Sequence, residues 1–285
     1  MENIKILLIG CGYWGKNWYK TIKNSKFQLA GVVDPSPLIE IGSDPLFNNL
    51  EEVNVTYTHA ILAVNANLHS DIIKKLNIPQ ENILVEKPCG VSLEDAKLIK
   101  NTFPGYIFLY SDEYQYIKNN INKIGKPLFW KSIRASMGPR VRADVSILED
   151  YMIHDIYLYL DLFGNCNLVN KTFTNEFNSP IKDSSLHLEL NGTVPGYFYS
   201  SWHYPIKERK IIIAGSKGSF IWENDDLYYD NTHYINGKVI EGTREKIQST
   251  VQSNLDIELE YFILNNKPDI NILDVWSLIT NINKN

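Results

Sequence analysis

Three groups of residues in this 285-residue chain have the types and spacing that chemistry requires. Lys87 stands between an acid and a proline, as Glu86-Lys87-Pro88, at the end of a short apolar run over residues 82–85. An ammonium there can hydrogen-bond a hydroxyl group and stabilise negative charge that develops on its oxygen. Asp150 and His154 are four residues apart in a helical pattern and so share a helix face. A histidine titrates close to neutral pH and can take a hydroxyl proton while hydride leaves the same carbon. Asp150 would then orient the imidazole, raise its pKa or hold substrate. The bland alternatives are a solvated turn lysine and a helix-face ion pair or core histidine. The third group, Gly10-Cys11-Gly12-Tyr13-Trp14-Gly15, is a G-x-G-x-x-G. Its first glycine permits a tight turn, its second lets backbone approach a pyrophosphate, and its third lets helix and strand pack closely.

The elements that must hold these groups follow from the pattern around them. Residues 4–9 are almost all apolar without alternation, which suits a strand buried on both faces. A helix is expected over 13–24, its free N–H groups facing phosphate. A second apolar strand over 27–33 ends at Asp34, about 20 residues beyond the glycines, where an acid is expected to bind the ribose hydroxyls. A carboxylate there favours NAD over NADP, because it repels a 2′-phosphate. Residues 34–49 are too short and polar for a full helix–strand unit, so a trimmed crossover is expected. Strands at 56–64, 82–85 and 106–110, with helices at 69–76 and 92–101, complete an alternating N-terminal domain over residues 1–111. Ligands of open α/β sheets sit beyond the carboxyl ends of the strands. The glycine loop, Asp34, Asn65 and Lys87 all fall on that edge.

From residue 112 the character changes. After a linking helix over 112–123 and a strand over 128–137 comes a long helix over 144–163. Strands then follow at 168–173, 185–190, 196–204, 209–214 and 219–222, with two final helices at about 254–265 and 272–283. Alternation in SLHLEL and GYFYSSW suits a half-covered antiparallel sheet. The fold class expected is therefore α/β: a doubly wound parallel sheet, followed by an α+β domain over 112–285 with a large, mostly antiparallel sheet. The aromatic and β-branched rows FYSSW and IIIAG suggest a sheet face buried in a homo-oligomer, a dimer or tetramer; the alternative is a monomer with an unusually apolar patch.

The chain is 44% hydrophobic and 21% charged, with a net charge of −5. No basic stripe points to nucleic acid, and no apolar run is long enough for a membrane helix. Met1 leads straight into the first strand, and three cysteines, Cys11, Cys89 and Cys166, lack metal or disulfide spacing. A cytoplasmic protein with reduced thiols and no bound metal is expected. Cys11 and Cys89 flank the two best motifs, so a thiol reagent is expected to disturb cofactor binding. Arg134, Arg140 and Arg142 precede the long helix; they are either ordinary solvated arginines or a cluster that reads phosphate or carboxylate.

GCGYWGKN at 10–17, VVDPSP at 32–37, AVNANLH at 63–69, VEKP at 85–88, DYMIHDI at 150–156 and ERKIIIAGSKGSF at 208–220 resemble the glucose–fructose oxidoreductase / inositol dehydrogenase / MocA family of NAD(P)-dependent oxidoreductases. The resemblance implies a Rossmann domain and hydride transfer at a sugar or cyclitol carbon. It implies cofactor contacts from Gly10, Gly12, Tyr13, Trp14, Gly15, Asp34, Val64, Asn65, His69, Glu86, Lys87 and Pro88. Lys87 and His154 become the catalytic pair with Asp150 assisting, and substrate is held by Lys87, Arg134, Arg140, Arg142, Asp150 and His154. GYWGKN together with RASMGPRVRADV resembles members that act on nucleotide-linked sugars, such as UDP-N-acetylhexosamine 3-dehydrogenases. Within the same resemblance stand reduction of a C=N or C=C bond and, in another class, a dinucleotide-binding regulator without turnover.

Overall fold

The computed structural model describes residues 4–137, 145–174, 185–248 and 252–284, which divide into two compact units. The first comprises residues up to 107 together with 252–276, and the second residues 108–251 and 277–285. The expected domain over 112–285 is therefore not one continuous piece: the stretch around the first C-terminal helix returns to the N-terminal unit.

In the first unit, strand β1 (Lys5–Ile9) runs through the glycine loop into helix α1 (Gly15–Asn24). Strands β2 (Gln28–Val33), β3 (Leu46–Phe47), β4 (His59–Leu62), β5 (Ile83–Glu86) and β6 (Phe103–Gly105) pair in the order β3-β2-β1-β4-β5-β6, all parallel. The order reverses between β1 and β4, the crevice where such sheets bind dinucleotides. Helices α2 (His69–Lys75) and α3 (Leu93–Ile99) follow β4 and β5; Ser92 caps α3 by accepting from Asp95 N–H at 3.1 Å. No helix fills the crossover after Asp34, as its length and polarity predict. The last strand was expected at 106–110 and lies instead at Phe103–Gly105, with a 3₁₀ turn over Ile107–Tyr110. Pro104 and Gly105 read as a break, yet β6 pairs only with β5, and an edge strand tolerates a proline.

The second unit begins with Phe108 and helix α4 (Asp112–Asn120). Strand β7 (Pro127–Met137) is followed by a single π turn over Leu148–Met152 and by helix α5 (Ile153–Phe163), which stops at Gly164 with φ +74°. Ser146 opens this segment with a reciprocal cap: its hydroxyl receives Glu149 N–H at 3.3 Å, and Glu149 Oε2 receives Ser146 N–H at 3.0 Å. Strands β8 (Cys166–Thr174), β9 (Ser185–Gly192), β10 (Gly196–Ser201), β11 (His203–Gly215), β12 (Gly218–Glu223) and β13 (Asp226–Asp230) continue the unit. A small hairpin, β14 (His233–Ile235) with β15 (Lys238–Ile240), precedes β16 (Arg244–Ile247). The eight-stranded sheet runs β16-β13-β12-β11-β7-β10-β9-β8, antiparallel except for β7 and β10. Helix α5 covers one face, where Trp130 meets Tyr159, Phe163 and Phe198. The other face carries Phe129, Lys131, His187, Glu189 and Tyr197, all exposed.

The chain ends with α6 (Asn254–Ile263) and α7 (Ile272–Lys284). Helix α6 lies in the first unit, where Phe262 packs edge-on to His59 and tilted against Phe103, each at 5.4 Å between ring centres. One turn back, Glu258 is fully buried, and neither of its carboxyl oxygens has a hydrogen-bond partner among the described residues. Burial, and then the neighbouring Glu86 carboxylate, raise its pKa well above the ordinary 4.5. Burial raises Glu86 as well, but two indole N–H groups and Lys87 pull it back, whereas no hydrogen bond among the described residues supports a charge on Glu258. Above the unfolded value the folded state then binds the extra proton, so Glu258 removes stability as pH rises. Glu258→Gln is expected to unfold later than the parent at about pH 8, by roughly 1–3 kcal/mol, and to differ little near pH 5. Denaturant unfolding at the two pH values checks this.

Candidate dinucleotide and proton-transfer residues

The carboxyl edge of the parallel sheet gathers most of the residues expected there. Gly10 has φ +91°, and a Cβ on it would meet Ala63 carbonyl atoms at 2.8 Å. A Cβ on Gly15 would stand 2.0 Å from the Gly10 carbonyl oxygen, so these two glycines are fixed by the close passage of loop, helix and β4. Gly12 differs, since a Cβ there would meet nothing within 4 Å. The backbone at Gly12 therefore fronts open space at the start of α1, as a pyrophosphate needs. Asp34, at the end of β2, accepts from Cys11 N–H at 2.6 Å with one oxygen and from Ser36 N–H at 2.8 Å with the other. These bonds hold its carboxylate beside the loop while leaving further lone pairs for ribose hydroxyls.

Other expected contacts prove to be internal ties. Glu86 is buried, and its Oε1 accepts from the indoles of both Trp14 and Trp18, the latter at 2.6 Å. Trp14, expected at the cofactor, thus anchors the start of α1 to the end of β5; Trp18 was not singled out from the sequence, although i, i+4 spacing puts it on the same helix face. His69, also expected at the cofactor, is fully buried. It accepts from Gly90 N–H on Nδ1 at 3.4 Å, which leaves Nε2–H to donate to Val64 O at 3.2 Å. It fastens the loop of Val64 and Asn65 to the segment after Lys87-Pro88. The Lys87–Pro88 bond is cis, Lys87 is half-buried, Pro88 is buried, and Asn65 and Tyr13 are exposed.

In the second unit the π turn carries Asp150, nine-tenths buried, and α5 carries His154, half-buried. His154 Nδ1 lies 2.9 Å from the Tyr157 hydroxyl, which accepts from Phe108 N–H at 3.2 Å. The His154 ring also stands edge-on to Phe108, with centres 5.0 Å apart. Tyr157 escaped sequence reading because it repeats as a core residue of an apolar helix; its i+3 spacing from His154 was the available signal. Arg134, expected to face substrate, is buried. Its Nε and Nη2 donate to Asp155 Oδ1 at 3.1 and 2.7 Å, and its guanidinium lies 4.7 Å from the centre of the Phe108 ring. Arg140 and Arg142 lie outside the described residues.

The thiols are quiet. Cys11 and Cys89 are fully buried, and Cys166 is half-buried. Burial, helped by Asp34, pushes Cys11 up to about 11; burial alone takes Cys166 to about 11, and burial with Glu86 raises Cys89 further. Raised pKa values leave little thiolate for a reagent to attack. No helix is long and apolar enough to cross a membrane among the described residues.

A six-stranded parallel sheet in this order, with a glycine loop after β1 and an acid at the end of β2, is a dinucleotide-binding domain. Residues 4–105 match the oxidoreductase family with an NAD-binding Rossmann fold, abbreviated Gfo/Idh/MocA. Over that stretch the first unit is similar to the NAD-binding domain of that oxidoreductase family. No curated protein sequence matches the chain significantly. Among solved structures, the UDP-N-acetylglucosamine 3-dehydrogenase GnnA of Acidithiobacillus ferrooxidans is 17% identical, with TM-score 0.78 over 99% of this chain and 96% of its own. An oxidoreductase of Agrobacterium radiobacter in complex with NAD+, L-tartaric acid and magnesium is 16% identical, with TM-score 0.77 over 99% and 97%. The dehydrogenase MviM of Clostridium difficile is 17% identical, with TM-score 0.76 over 99% and 98%. At these identities the likeness establishes a shared fold.

The glycine geometry separates binding from folding. Gly12→Ala is expected to fold with unchanged thermal stability and to bind NAD at least about tenfold more weakly. Gly15→Ala is expected to lose stability, because its Cβ overlaps backbone. Thermal unfolding with and without NAD distinguishes the two.

Proposed function

We propose that the chain is an NAD-dependent oxidoreductase that moves hydride between the nicotinamide and a hydroxyl or keto carbon of a sugar, most simply a nucleotide-linked one. The observation that carries this reading is the edge of the parallel sheet. There an open glycine backbone, a fixed Asp34 carboxylate and the Lys87 ammonium stand at the carboxyl ends of β1, β2 and β5 of one sheet. Two structurally similar proteins support the substrate class: one acts on UDP-N-acetylglucosamine and one was crystallised with L-tartaric acid, and both compounds are hydroxylated anions.

When bound, NAD supplies the hydride acceptor or, reduced, the donor. The chain's own residues do the rest. Gly12 admits the pyrophosphate to the start of α1, and Asp34 holds the ribose and disfavours a 2′-phosphate. Lys87 donates to the reacting oxygen and stabilises its charge. His154 accepts the hydroxyl proton in oxidation and returns it in reduction. For Nε2 to act as the base, Nδ1 must carry hydrogen and donate to the Tyr157 oxygen, whose second lone pair already receives Phe108 N–H. Asp150 assists from the turn before α5.

Reduced nicotinamide formed from NAD and UDP-N-acetylglucosamine, or from a panel of free sugars, gives the assay. Lys87→Ala and His154→Asn are each expected to lower kcat about 10²- to 10⁴-fold with NAD affinity unchanged. Tyr157→Phe is expected to lower it about tenfold and to move the pH profile of oxidation, which rises with pH as the imidazole loses its proton. Turnover unaltered in both Lys87→Ala and His154→Asn would overturn the reading.

A further inference from the structure

Strands β7 and β11 place two arginines directly opposite each other, Arg134 against Arg209. Like charges in that position repel. Only one of them is answered: Asp155 takes two N–H groups of Arg134. The Arg209 side chain makes no hydrogen bond or ion pair with any described residue, although it is only half-exposed. Asp155 and Asp225 are the carboxylates whose charges act on it. The first is engaged by Arg134, and the second is exposed and unbonded to it. Its strand neighbour Lys210 is paired with Glu223 at 3.2 Å. Burial and the Arg134 charge both disfavour the charged form of Arg209, yet a guanidinium does not give up its proton in proteins. One positive charge is thus left over, partly removed from water and paired with no carboxylate among the described residues.

Its place is informative. The Arg209 guanidinium lies 6.0 Å from the centre of the Phe108 ring, the same ring that His154 meets edge-on at 5.0 Å and that Trp222 meets at 6.1 Å. A merely solvated arginine would extend into water and would not stand opposite a second arginine beside a half-buried aromatic ring. We propose that Arg209 reads the anionic group of the substrate, a phosphate or a carboxylate, beside His154. A planar fork suits either group, binding two oxygens at once. This rests on the oxidoreductase reading above and narrows it to anionic sugars. It also moves the role expected of Arg134 across the strand pair to Arg209.

The test is calorimetric titration of the full chain, saturated with NAD, against UDP-N-acetylglucosamine, D-glucuronate and neutral D-glucose, in the parent, Arg209→Gln and Arg209→Lys. The parent is expected to bind one of the anionic probes. Arg209→Gln should weaken that binding at least about tenfold, with affinity for NAD and any binding of glucose unchanged. Loss confined to the UDP-sugar assigns a diphosphate, and loss confined to glucuronate assigns a carboxylate. Arg209→Lys keeps the charge and loses the fork, so a smaller, several-fold loss is expected; it decides the matter if the glutamine variant does not fold. Unchanged anion affinity in a folded variant, or no anionic probe bound by the parent, overturns the proposal. Anion binding lost in Arg209→Gln, with no probe ever oxidised by the parent, would sustain Arg209 and remove the sugar-oxidoreductase reading. Glucose oxidation insensitive to Arg209→Gln, with no anion bound, would do the reverse.

Discussion

The first unit depends on one buried carboxylate. Glu86 ends β5, and a single oxygen of it receives two indole N–H groups from the first turns of α1, while the other faces the Lys87 amide. A buried anion is tolerable only when its lone pairs are answered. Here the answering groups belong to the helix that must present its amino end to a pyrophosphate. The glycine loop before that helix has little choice of path, since Gly15 lies against the Gly10 carbonyl and Gly10 against Ala63. Phosphate-facing loop, α1 and the lysine-bearing strand end are therefore one rigid piece.

The second unit solves a different problem with a similar device. His154 gains its orientation from a neutral partner, Tyr157, whose oxygen is itself positioned by a backbone N–H. Beneath it the Arg134–Asp155 pair, with side chains 8% and 1% exposed, locks the start of α5 to the centre of the sheet. Such pairs add little net stability but enforce a single arrangement once both partners are present. The π turn that carries Asp150 precedes this lock, a local widening of the helix of the kind that gathers at functional sites.

Much of this was legible in the residues. The glycine spacing, the apolar runs of β1, β4 and β5, and Asp34 at its distance specify the parallel sheet and the edge where a dinucleotide binds. What escaped reading shares a physical cause. β13 to β16 are short strands near one end of the large sheet or in the hairpin beside it in sequence, and their sequences, DLYYD, HYI, KVI and REKI, carry no core-facing alternation strong enough to separate them from loops. The resemblance implies ligand contacts for Trp14, His69 and Arg134; only tertiary packing shows that each also has a protein partner. Arg209 sits in KERK, which reads as a solvated charge run until the register sets it against Arg134. No local pattern says to which unit a helix belongs, and α6 is amphipathic enough to serve either.

That last feature bears on how the protein is made. The NAD-binding unit is assembled from both ends of the chain, with Phe262 of α6 packed on His59 and Phe103, and the Trp276 indole donating to the Cys89 carbonyl at 2.8 Å. A ribosome delivers these residues only after the whole large sheet has been synthesised. During vectorial synthesis the parallel sheet waits, with the surface that α6 will cover still open, while the strands of the large sheet are made. The unit that begins first in the sequence thus cannot close until the strands of the large sheet, α6 and Trp276 have all emerged.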